Sequence, residues 1–96
     1  MKNQEDANLS RFYTLTVNRL SLAMDGTVEW QLMRQDEDLK ARTATLTRLS
    51  IPETDSAKKA KEMVRDLHPE VALFGKWIPT SSGDGFEEYR TETVYA

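Results

Sequence analysis

Residues 54–67 read TDSAKKAKEMVRDL, and their spacing decides the class of fold. Ala57, Ala60, Met63, Val64 and Leu67 recur three or four positions apart. At about 100° per residue they fill roughly a third of a helix circumference, a width suited to burial against a sheet. Thr54 or Asp55 caps the start, Pro52 lies just outside it, and Pro69 blocks continuation beyond His68. The flanking segments carry strand signatures, so the expectation is one helix laid on a sheet.

Upstream, Tyr13, Leu15 and Val17 alternate with Thr14, Thr16 and Asn18, the period of a strand. Leu20, Leu22 and Met24 continue in the opposite phase, Asp25-Gly26 supplies a turn, and Val28, Trp30 and Leu32 alternate beyond it. A three-residue Met24-Asp25-Gly26 loop sets Leu22 against Val28 and Leu20 against Trp30, which keeps the apolar set on one face. Tyr13, Leu15, Val17 and Met33 then point to the other face, unless a bulge near Asn18-Arg19 restores the phase. Residues 35–40 (QDEDLK) read as a charged connector, and residues 42–50 as a third strand with Ala44 and Leu46 alternating against threonines.

Downstream, the apolar run at 71–78 (VALFGKWI) reads as a buried strand, with room for a helical turn over residues 70–73 before it. Residues 80–85 (TSSGDG) read as a flexible turn. Residues 86–95 close the chain as a strand with Tyr89, Thr91, Thr93 and Tyr95 on one face. The expected fold is α+β: a four- or five-stranded, mainly antiparallel sheet in the chain order β-β-β-α-β-β, with one helix packed on one face. Residues 1–9 are expected to form a flexible N-terminal tail and residues 10–96 a single domain.

Composition narrows the function classes. The 96 residues carry a net charge of −3, which weighs against a dedicated DNA binder and is too small for DNA mimicry. No cysteine is present, which excludes disulfides, thiol chemistry and thiolate metal sites. No apolar run reaches membrane length and residues 1–10 hold no hydrophobic signal core, so the expectation is a cytoplasmic protein without a membrane partner.

Catalytic constellations are not evident. His68 is the one histidine, and at a helix C-terminus it is expected to meet the last carbonyls. Glu87 and Glu88 are strand neighbours and face opposite ways, while Asp36, Glu37 and Asp38 read as solvated. Residues 82–85 (SGDG) lack the further acids of a calcium loop, and no glycine-rich loop feeds the helix. The expectation is a non-enzyme with no catalytic, metal or cofactor residues.

Binding features remain. Lys58, Lys61 and Arg65 at i, i+3 and i+7 form a stripe suited to phosphates or an acidic protein surface. One helix cannot cover both faces of such a sheet, so Tyr13, Leu15, Val17 and Met33 become a candidate exposed patch. These seven residues are the expected partner-binding set of a protein-binding module that acts as an inhibitor or adaptor. In size and layout the chain is similar to small anti-defence proteins of phages and mobile elements, such as anti-CRISPR proteins. That resemblance rests on the outline and transfers no residue. Two alternative functions remain, together with one further candidate partner. One is single-stranded nucleic-acid binding on the sheet face and the basic helix flank, with Phe12, Tyr13, Trp77, Tyr89 and Tyr95 as stacking candidates. A second is a structural subunit of a larger assembly. A third partner is a second copy of the chain, met through edge-strand pairing or sheet stacking.

Overall fold

The structure is a computed structural model that describes residues 8–18, 28–83 and 85–95. Strand β1 (Leu9–Asn18) lies at the centre of an antiparallel sheet, with β2 (Trp30–Asp38) along one side. β3 (Thr43–Leu49) lies outside β2, and α1 (Ala57–Leu67) follows it in the chain. β4 (Ile78–Gly83) and β5 (Phe86–Arg90) form a hairpin whose β5 pairs with the other side of β1. The spatial order is β3-β2-β1-β5-β4, and a two-residue β6 (Val94–Tyr95) pairs with β1 beyond the end of β5. The α+β class and the order β-β-β-α-β-β are therefore as expected, with β6 as an added short strand.

Register explains which residues form the core. Val17 pairs with Trp30, Leu15 with Leu32 and Tyr13 with Arg34. Trp30 was expected opposite Leu20, so the observed pairing is displaced by three positions, an odd number, and an odd displacement exchanges the two faces. Tyr13, Leu15 and Val17 consequently join Trp30 and Leu32 under Ala60, Val64 and Val71, where Tyr13 and Leu15 are 0% exposed. They are core, not an exposed patch. Met33 pairs with Thr14, parts company with those three, and lies half-buried on the opposite face. The expected Met24-Asp25-Gly26 turn, together with Leu20 and Leu22, lies outside the described residues.

Other boundaries shift for local reasons. The residues expected as a charged connector continue β2 through Asp38, because Arg11 stands directly opposite Asp36 and pairs with it. The turn over residues 39–42 follows, with the Asp38 carboxylate accepting from the Lys40 and Ala41 N–H groups. The helix starts three residues later than expected. Thr54 exchanges two backbone hydrogen bonds with Val28 and stays extended, so Ser56 becomes the cap and accepts from the Lys59 N–H at 3.2 Å.

The apolar run after the helix opens as a 3-10 helix over Pro69–Phe74, where a helical turn had room at residues 70–73, and of the run only Ile78 belongs to a strand. Its residues three apart, Val71 and Phe74, face the core, and Leu73 is left outside. Residues 80–83, expected as turn, belong to β4. Asp84 lies outside the described residues. An eleven-residue helix spans roughly 16 Å, against a long axis of 52 Å, so α1 covers only part of one face.

Candidate functional site

The basic stripe lines a groove. Lys58, Lys61 and Arg65, with Val64 beneath them, form one wall from α1, and Val71, Ala72, Gly75 and Trp77 form the other, around a space of ≈ 330 Å³. Helical spacing puts the three cations on a single flank, and one acid, Glu62, stands among them. Lys58 and Arg65 are exposed. Lys61 is half-buried because its ammonium lies 4.0 Å from the centroid of the Tyr89 ring, a cation–π contact that holds the side chain across the helix–sheet junction.

The opposite wall depends on backbone geometry at Gly75. Its φ of 85° and ψ of −157° fall in a region that side-chain-bearing residues avoid. A Cβ there would approach the Glu92 carboxylate to 3.2 Å. This reversal ends the 3-10 helix and leads the chain into Trp77, whose half-buried indole packs against the core beside the groove. The Glu92 N–H donates to the Phe74 carbonyl at 3.1 Å and ties the C-terminal segment to the same corner.

A second, larger cavity of ≈ 530 Å³ lies at the end of the sheet where β1 begins and β2 ends, lined by residues that include Leu9, Arg11, Asp36, Asp38, Phe74 and Val94. Two of its charged groups, Arg11 and Asp36, are engaged with each other. Asp36 accepts from Arg11 Nε at 2.5 Å and from Arg34 Nε at 2.9 Å. Burial pushes the Asp36 carboxyl up, but these hydrogen bonds and charges outweigh it and hold the group below its ordinary value. Asp38 caps the adjoining turn. The arrangement is a structural clamp at the sheet end. Among the described residues, no three His, Asp or Glu side chains are grouped to hold a metal ion.

His68 sits differently from expectation. Its backbone N–H caps α1 on the Val64 carbonyl, but its ring Nε2–H donates to the Ser50 carbonyl at 2.9 Å and so pins the helix end to the exit of β3.

Of the seven residues expected to bind a partner, the structure brings Lys58, Lys61 and Arg65 together in one groove. Tyr13, Leu15 and Val17 are buried, and Met33 is on the far side of the sheet. Gly75 and Trp77 were expected within a buried strand, with Trp77 also a stacking candidate, and neither was expected beside the basic stripe. Their signal is the Gly-Lys-Trp step at the end of an apolar run.

The sheet face away from α1 carries Thr14, Thr16, Met33, Leu46 and Phe86, with the Arg90 guanidinium 3.7 Å over the Phe12 ring. This face and the basic groove lie on opposite sides of the sheet. Among the described residues, no helix is long and apolar enough to cross a membrane. Comparison with protein-family models, with curated protein sequences and with solved structures finds no match.

Proposed function

We propose that this chain is a non-enzymatic binding module that acts as an inhibitor or adaptor by holding an acidic segment of a partner protein in the groove beside α1. The observation that carries this reading is the convergence of Lys58, Lys61 and Arg65 on a single groove whose other wall includes Trp77. Exposed cations at the rim steer and orient a carboxylate-bearing segment. A neighbouring indole and the small residues Ala72 and Gly75 offer apolar contact where the segment closes over them. The whole molecule has a net charge of −3, so attraction for an anionic partner depends on local clusters of cations such as this one. The likeness in outline to small anti-defence proteins suits an inhibitor.

Capture from native lysate, with and without nuclease, tests the proposal when the wild type is compared with a Lys58→Glu/Arg65→Glu double variant. Both positions are exposed, so the fold is expected to persist in the variant. The expected outcome is a protein partner retained through nuclease treatment and lost with the double variant. Equal capture by the double variant removes the groove from the account, and capture abolished by nuclease points to nucleic acid instead.

A further inference from the structure

The two outer strands of the sheet differ in how open they are to further pairing. β4 carries Pro79 and a register shift between Pro79 and Ser81, two devices that blunt an edge. β3 has neither. Its seven residues, TATLTRL, pair with β2 in unbroken register from Thr43 to Leu49, and among the described residues no strand lies along its outer side. Every second residue of such a strand directs an N–H and a C=O outward, which makes it a template for another strand.

We infer that the β3 edge is a self-association surface, on which a second copy of this chain pairs its own β3 antiparallel across a two-fold axis at Leu46. The sequence of the strand supports a second copy as the occupant. Centring the pairing on Leu46 places Thr45 opposite Thr47, Ala44 opposite Arg48 and Thr43 opposite Leu49. No two like charges meet, because Arg48, the strand's sole charged residue, faces the small Ala44. Leu46 itself is 61% exposed on the single chain and meets its own counterpart in the pair. The same register carries the basic turn, with Lys40 and Arg42, alongside the other copy's residues 50–53, which end in Glu53. The surface is independent of the groove beside α1, and a pair joined this way carries two such grooves.

Sedimentation equilibrium of the full chain, from micromolar to near-millimolar concentration, measures the association. The wild type is expected to approach twice the 11.0 kDa chain mass with rising concentration. Leu46→Lys sets two ammonium groups face to face and is expected to weaken association at least about tenfold. Because Leu46 is exposed, circular dichroism of that variant is expected to match the wild type. A Leu46→Cys variant of this cysteine-free chain gives a second readout: its single thiols are expected to be joined quantitatively by a short bifunctional maleimide at concentrations where the dimer forms. A wild type that stays monomeric throughout overturns the inference. So does a dimer that Leu46→Lys leaves unchanged, or a dimer in which the thiols at position 46 are not joined.

Discussion

Thr91 shows how one side chain repairs a broken strand. Between β5 and β6 the chain leaves the ladder, yet Thr91 N–H donates to the Tyr13 carbonyl at 3.0 Å and its hydroxyl accepts from Tyr13 N–H at 2.9 Å. Thr91 is 2% exposed, so loss of the hydroxyl leaves a buried N–H without a partner. Thr91→Val is expected to destabilise the fold by about 1–3 kcal/mol in urea denaturation, with Thr91→Ser close to wild type. Asp36 offers a second residue-level test. Its carboxyl is held below the ordinary value in the folded chain, so its stabilisation is present above about pH 4 and is lost as the pH falls through the folded value. The stability difference between wild type and Asp36→Asn should therefore be larger at about pH 7 than at about pH 3. Sequence reading took this acid for a solvated one. What it lacked was the register that sets Arg11 directly across from it.

At the scale of elements, periodicity was legible and phase was not. The alternation of Tyr13, Leu15 and Val17 marks β1, and the spacing of Ala60 and Val64 marks α1, because both patterns are local. Which face each strand presents depends on pairing with a distant strand, and the displacement at Trp30 reversed the expected assignment. The start of α1 was misplaced for a related reason: Thr54 is a good cap by type, but its backbone is committed to Val28. Ser56→Ala is accordingly expected to cost about 1 kcal/mol of thermal or chemical stability, whereas Asp55→Ala should cost less because its ion pair with Lys59 is solvent-exposed. The run at 71–74 misled because four consecutive apolar residues suit a buried strand as well as a 3-10 turn. Pro69 at the first turn and the spacing of Val71 from Phe74 favour the turn. β4 was missed because an exposed edge strand tolerates threonine, serine and proline, the residues that also signal a loop.

On the scale of the whole molecule, one face of the sheet is covered by α1 and the 3-10 helix, the other is open, and the basic groove lies on the covered side. The cations of the groove were readable from their helical spacing alone. Its second wall was not, since Gly75 and Trp77 reach the helix only through the reversal that follows the 3-10 helix. The expected patch of Tyr13, Leu15 and Val17 turned out to be the floor that supports this architecture. Fluorescence titration with a glutamate-rich peptide reads occupancy of the groove, because Trp77 lines it while Trp30 is buried in the core. A saturable change in tryptophan emission is expected, with an affinity that falls steeply with added salt and by about tenfold or more in Lys58→Glu/Arg65→Glu. A flat titration of the wild type, or equal binding by the double variant, contradicts it.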